Sequence, residues 1–583
     1  MRRPSNYDKH PVTAVGHAEQ CHVGWNTIGS ELLASLPRSG ILCVECYPGS
    51  LVSEIQDKIH CVVKPTRTIR SEDLLKTPEQ IEVLLAQPLG RDPVFGRMNG
   101  LTLLDYFDPQ TLAEAREILA QTTPGTVMVI GVGASLIAPE HSVLVYADMA
   151  RWEIQRRWRE NLIGNFGRDN KNASSAEKYK CGYFVEWRAA DRLKKHLLPR
   201  IDFLLDTNAA HLPKMISGAD FRSALSTVAQ RPFRVVPYFD PGPWGGHWME
   251  EVFDLPRNSP NYAWCFDCVP EENSLLLGFG DARVEVPAID LVFHQPLELL
   301  GEAVHARFGA EFPIRFDFLD TIDGGNLSLQ VHPLTGYIRE QFGMHYTQDE
   351  SYYLLDVAED ASVFLGIEEG ADPLLMTKDL ILAQEGAFDF PVEKYVHRWP
   401  ARKHDHFLIP AGTVHCSGRN SMVLEISATP YIFTFKLWDW GRLGLDGNPR
   451  PIHLDRGLAS IQWDRTTNWV RKNLINRICE LHTEKDWREE ITGLHEREFI
   501  ETRRHWFRGT VPHHTNGGVN VLNLVEGEGA IVESPSGSFP PLEIHYAETF
   551  IVPAAVGPYT IRPIATPVGK ECATIKAFVR RSL

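Results

Sequence analysis

The chain has 583 residues, 43% of them hydrophobic and 23% charged, which places it among soluble globular proteins too long for a single core. A formal charge of −16 argues against nucleic acid or an anionic membrane as partner, yet leaves open a local cationic pocket for an anionic substrate. The opening MRRPSNYDKHP lacks the apolar stretch of a signal peptide and the longest apolar run, TVMVIGVGASLI, is too short for a bilayer, so a cytoplasmic protein is expected.

Residues 1–228 read as an α/β domain. Continuous apolar runs at 40–46, 126–134, 142–148 and 201–207 suit strands buried on both faces of a parallel sheet. Amphipathic segments between them, DPQTLAEAREILAQ and ADMARWEIQRRWRENLIGNF, supply the helices of a doubly wound fold. ILCVEC followed by YPGSLVSEI resembles the first strand, turn and helix of the P-loop nucleoside kinases. The GxxxxGK[ST] fingerprint is absent, so no lysine is placed for phosphates. Asp148 closes a strand of Walker-B type, and GVGAS at 131–135 is an isolated glycine pair. The resemblance implies a degenerate, inactive kinase-like domain that serves oligomerisation or effector binding.

Composition changes at PYFDPGPWGGHW, 237–248, a Pro/Gly-rich boundary loop. From 229 to 450 the chain is short strands and turns. NWVRKNLINRICEL and WREEITGLHEREFIETRRHWF then read as helices, and strands resume after Gly517. Cys265 and Cys268 form a lone CxxC with no second pair at metal-ligand spacing, and are read as structural. FLIPAGTVH at 407–415 and FIVPAAVGP at 550–558 match in register, each downstream of a similar strand-turn-strand segment. Two such copies have the rhythm of tandem double-sheet jelly rolls of the cupin type. The expected division is an α/β domain at 1–228, a metal-binding barrel at 229–450, and a helical connector with a metal-free second barrel at 451–583.

GNLSLQVHP, 325–333, alternates like a strand, with Leu327, Leu329 and Val331 on one face and Ser328, Gln330 and His332 on the other. A polar-faced edge strand explains this stretch when it is taken alone. The repeat adds a second fact: its first copy ends in His415, and its second has Pro558 there. Glu350 opens the following strand, DESYYLLD. Two imidazoles, a carboxylate and an amide oxygen would make an N2O2 set suited to zinc or another borderline divalent ion.

LSLQVHP, DESYYLL and FLIPAGTVHCSG resemble the type I phosphomannose isomerase family. PGPWGGHWM, FPIRFDFLD, LWDWGR and PIHLDRGLASI extend the likeness in order over residues 230–583. The resemblance implies one Zn2+ per chain on Gln330, His332, Glu350 and His415. It further implies interconversion of mannose 6-phosphate and fructose 6-phosphate by proton transfer through a cis-enediol. Glu425 in MVLEIS is the first candidate for the base, with Asp439 behind it, while Lys436 and Arg442 are the candidate cations. His345 and His397 are read as surface or core histidines. The departures from the family pattern fall on cations: Asp317 and Gln348 stand where lysines are usual, and Lys436 where an arginine is. Arg339 and Lys378 could substitute. The expected partner is therefore a small sugar or sugar phosphate, with a homo-oligomer compatible. The alternatives are an isomerase of a non-phosphorylated sugar and a non-enzymatic sugar sensor.

Overall fold

The apolar runs of the N-terminal region lie side by side as parallel strands in the computed structural model, which describes residues 5–121, 124–429, 432–493, 495–564 and 571–580. Strands β1 (Gly40–Cys46), β2 (Arg67–Arg70), β3 (Thr126–Gly131), β4 (Val143–Asp148) and β5 (Phe203–Asp206) are parallel in the order β2-β3-β1-β4-β5. Val44, Val129, Val145 and Leu205 are wholly buried. Burial on both faces is why these strands are continuously apolar rather than alternating. β2 escaped the sequence reading because RTIR is short, polar and at the sheet's edge. Asp108 caps the helix Pro109–Ala120 by accepting from the backbone of Gln110 and Thr111.

Two features of this sheet are satisfied internally. The Glu45 carboxylate accepts from Gly133 N at 2.6 Å and Ser135 N at 2.7 Å, so the GVGAS turn already holds an anion. Burial pushes that carboxyl up to about 7. Asp148 receives Lys194 Nζ at 2.7 and 3.0 Å, and the same ammonium reaches Asp290 at 2.9 Å. Asp290 comes from a distant segment. Ser274–Phe279 and Ala282–Pro287 form a hairpin that runs alongside Val12–Gly16. One compact unit is thus Val12–Val228 with Pro270–Gln295, and the other is Met1–Pro11, Ala229–Val269 and Pro296–Leu583. The single break expected near residue 228 differs from this, because SLLLGF and ARVEVP look in sequence like any other hairpin of the β-rich region.

The second unit carries two double-sheet structures. In the first, a six-stranded sheet includes β6 (Ile314–Asp320), β7 (Glu350–Val357) and β8 (Ser421–Ala428), and a five-stranded sheet includes β9 (Leu329–Val331), β10 (His415–Ser417) and β11 (Phe435–Trp438). β8 lies between β6 and β7, and β9 between β10 and β11. In the second, a six-stranded sheet includes β12 (Trp487–Gly493), β13 (Ile500–Phe507), β14 (Asn520–Glu526) and β15 (Cys572–Val579), and a four-stranded sheet includes β16 (Val511–His514) and β17 (Pro558–Pro563). The helix expected across residues 487–507 is corrected by β12 and β13; only Thr467–Asn473 of the expected pair of helices forms one. The acidic and basic residues there suggested helical i, i+4 pairs. They pair across strands instead, Arg503 with Glu489 at 3.0 Å and Arg504 with Glu490 at 2.8 Å. Among the described residues, no helix is long and apolar enough to cross a membrane.

Candidate metal centre and sugar site

Gln330 on β9 lies in direct register with His415 on β10. Alternation along the strand turns Gln330 and His332 to one face, where they meet Glu350 from the opposing sheet. His332 Nε2 is 3.1 Å from Glu350 Oε2, and His415 Nε2 is 2.9 Å from Glu350 Oε1. The Gln330 amide nitrogen is 3.2 Å from His415 Nε2; the two ends of this amide interchange by rotation about its last bond. His332, Glu350 and His415 are fully buried, and their ligand atoms all lie within 4.8 Å of one another.

The outer nitrogens fix the tautomers. Nδ1 of His332 faces the Phe433 carbonyl at 3.3 Å, and Nδ1 of His415 faces the Thr413 carbonyl at 2.9 Å. A carbonyl only accepts, so each Nδ1 carries the proton and each Nε2 of a neutral ring presents a lone pair. Those lone pairs converge on a carboxylate, acceptor against acceptor. His332 Nε2 and Glu350 Oε1 have no aligned hydrogen-bond partner among the described residues. Burial would raise the Glu350 carboxyl; positive charge at this cluster, on the rings or on a cation held by their lone pairs, is what brings it well below the usual range. A divalent cation satisfies this donor set at once, so His332, Glu350 and His415, with the Gln330 amide oxygen, could hold a metal.

Glu425 lies on β8, opposite Tyr352 of β7 and Asp317 of β6. It is 4% exposed. Its carboxylate accepts from Arg315 Nη2 at 3.0 Å and from Gln348 Nε2 at 3.3 Å, and the same Gln348 amide donates to Glu350 at 2.9 Å. Burial and then the charge of Glu350 push the Glu425 carboxyl well above its usual range. Arg315 was missed in the sequence. It stands two residues before Asp317 on one strand face, donates to that aspartate through Nε at 2.7 Å, and brings a cation into the interior where Asp317 suggested a loss. The signal was the period-two spacing in IRFD.

Lys436 on β11 is in register with Gln330, on the interior side of the same sheet. Burial, then the neighbouring Arg450, bring its ammonium down to about 8. Asp439 is the hub beside it: Arg442 Nη2 lies at 2.6 Å, Arg450 Nη1 at 2.5 Å, and Ser328 Oγ donates at 3.0 Å. These contacts occupy Asp439, as Arg315 and Gln348 occupy Glu425. Arg450, also missed, makes three cations around one anion. His345, Arg339 and Lys378 are exposed, and His397 binds Glu368 at 2.6 Å. Cys265 and Cys268 are buried and not joined in a disulfide.

Residues 24–230 match the family model described as a domain of unknown function, DUF8485. The chain is similar to a mannose-6-phosphate isomerase of Streptococcus mutans, 27% identical over 227 residues, which is 39% of this chain and 66% of that protein. The chain thus spans just under two thirds of that relative's length. It is also similar to the mannose-6-phosphate isomerase ManA of Bacillus subtilis, 22% identical over 314 residues, covering 52% of this chain and 89% of ManA. A crystal structure of the mannose 6-phosphate isomerase from Bacillus subtilis aligns over 60% of this chain and 99% of its own, with 18% identity and a TM-score of 0.48.

Proposed function

We propose that this protein is a metal-dependent aldose–ketose isomerase that interconverts mannose 6-phosphate and fructose 6-phosphate. The observation that carries the reading is the buried convergence of His332, Glu350 and His415 with their outer nitrogens tied to carbonyls. The similarity to proteins named mannose-6-phosphate isomerase supports it. Gln330, His332, Glu350 and His415 are the assigned ligands, and zinc is the assigned ion. When bound, it supplies positive charge where negative charge develops on the sugar oxygens.

Glu425 moves the proton. It takes the C2 hydrogen of the aldose, passes through a cis-enediol, and returns the proton to C1. Gln348 sets the distance between that base and Glu350. Lys436 and Arg450, with Arg442 behind them, hold the phosphate, because three guanidinium or ammonium groups surround one carboxylate. The sensor reading rests on a different contact: Arg315 clamps Glu425 and would damp its basicity.

The α/β unit reads as a degenerate P-loop-like domain with an effector or assembly role. Its turn after β1 has no lysine, Glu45 fills the GVGAS turn, and Asp148 is neutralised by Lys194. Free cysteines throughout suit a reducing cytoplasm.

The test is metal content of the purified protein, followed by a coupled isomerase assay on mannose 6-phosphate and on free mannose. Stoichiometric divalent metal and faster turnover of the phosphorylated sugar are expected. Metal-loaded protein inert on both sugars would leave the sensor reading in place.

A further inference from the structure

The interior of the second barrel is layered. One layer is apolar and includes Phe507, Val511, Leu522, Ile561 and Cys572. Residues two apart share a strand face. His505 therefore shares its face with Phe507 on β13, His513 with Val511 on β16, Tyr559 with Ile561 on β17, and Lys576 with Cys572 on β15. The His505 and His513 rings are 4.4 Å apart between centroids, and His513 stacks on Tyr559 at 5.0 Å. β16 and β17 pair with His513 opposite Tyr559, one residue along from His514 opposite Pro558, the repeat's counterpart of His415.

Three ring nitrogens of this set are buried without a hydrogen-bond partner among the described residues. His513 is 6% exposed, and neither of its ring nitrogens has a hydrogen-bond partner among the described residues. Nδ1 of His505 is likewise unpartnered. Lys576 is 7% exposed, with its ammonium 5.7 Å over the Phe578 ring and within the field of Glu489 and Glu501. The neighbouring carboxylates are already engaged. Glu489 accepts Arg503 Nη1 at 3.0 Å and lies 3.2 Å from His505 Nε2, and Glu501 accepts Arg503 Nε at 2.7 Å. Burying His513 with both ring nitrogens unpaired is costly, and a ligand that bonds them would remove that cost. Among the described residues these side chains do not close up as a metal set; only His332, Glu350 and His415 do.

We propose that the second barrel holds a separate site for a small hydroxylated oxyanion, bound between Lys576, His513 and His505. The oxyanion, a carboxylate or a phosphate, accepts from Lys576 Nζ and from a ring N–H of His513. With His505 Nε2–H directed at Glu489, Nδ1 of that ring is an acceptor and takes the ligand's hydroxyl. Tyr559 backs the His513 ring and fixes its plane.

The experiment reads hydrogen–deuterium exchange at the ring C2 positions of His505 and His513 by mass spectrometry on the full-length wild-type protein. Two probes are used separately, inorganic phosphate and tartrate, so that phosphate and carboxylate sources are told apart. Exchange at both rings is expected to slow at least threefold with one probe. Lys576→Met should abolish the slowing, and Lys576→Arg should retain it, with isomerase turnover and metal content unchanged in both. Unslowed exchange with both probes in the wild type overturns the proposal, and that result does not depend on any variant folding. Full slowing in a folded Lys576→Met protein overturns it as well.

Discussion

Glu350 and Glu425 sit on neighbouring antiparallel strands and share one amide: Gln348 Nε2 donates to Glu350 at 2.9 Å and to Glu425 at 3.3 Å. Two buried carboxylates this close repel, and the amide and the Arg315 guanidinium are what hold them together. The amide joins the metal cluster to the proposed base, so its removal is expected to loosen both. Gln348→Leu should weaken metal affinity by about 10–100-fold, the usual effect of losing a partner behind a ligand. A competitive chelator titration measures it, and unchanged affinity would show the shared amide to be incidental.

The two imidazoles should be the strongest ligands. His332→Ala or His415→Ala is expected to strip the metal and the activity together, since a set of four ligands rarely survives the loss of one neutral donor. Metal analysis after dialysis decides the matter. Stoichiometric zinc in either variant would end the ligand assignment.

Much of this centre was legible because its residues are carried by short local patterns. Gln330 and His332 share a strand face, Glu350 opens a strand, and His415 closes a Pro-Ala-Gly turn. The parts that escaped are defined by register between distant strands. Arg315 reaches Glu425 only because β6 lies beside β8, and Arg450 reaches Asp439 only through the turn after β11. The apparent deficit of cations, read from Asp317 and Gln348, was a deficit at two positions rather than in the cavity. The misread 487–507 segment has the same cause. Glu489, Glu490, Arg503 and Arg504 look like a helical charge stripe until the strand pairing is known. The hairpin 274–287 gave no local sign that it belongs with Val12–Gly16.

If Lys436 and Arg450 hold the phosphate, their loss should separate two substrates. Lys436→Met and Arg450→Met are each expected to raise KM for mannose 6-phosphate by about 10–100-fold, the value of a hydrogen bond to a charged group. The constants for free mannose should hardly move. Equal losses on both sugars would place these cations in the scaffold.

Acid should destabilise the first barrel through His406. This ring is fully buried, and burial, reinforced by Arg504, holds it down at about 3. Its folded value lies below the unfolded one of about 6.5, so the unfolded chain binds the extra proton. The stability is present above about 6.5 and is lost as pH falls from there toward 3, with a slope of up to about 1.4 kcal/mol per pH unit. His406→Phe removes that proton. Denaturant unfolding between pH 7 and pH 4 should show a flatter decline in the variant, and parallel declines would exclude His406 as the source.

The sharpest prediction concerns Glu425. Its carboxylate is bound by Arg315 and Gln348. Glu425→Gln is nearly isosteric and keeps an oxygen for both donors, so fold and metal content should survive. An amide cannot take the C2 proton near neutral pH. Loss of a positioned base typically costs about 10²–10⁴-fold in rate, and the loss should fall on kcat, because the contacts that bind the sugar remain. Proton NMR in heavy water reads the step itself, as deuterium entering C2 of the aldose. Wild-type protein should exchange and the variant should not. Exchange at the wild-type rate in Glu425→Gln would remove this residue from the proton path, while a wild type that exchanges nothing on either sugar would mean that the Arg315 clamp on Glu425 is never released.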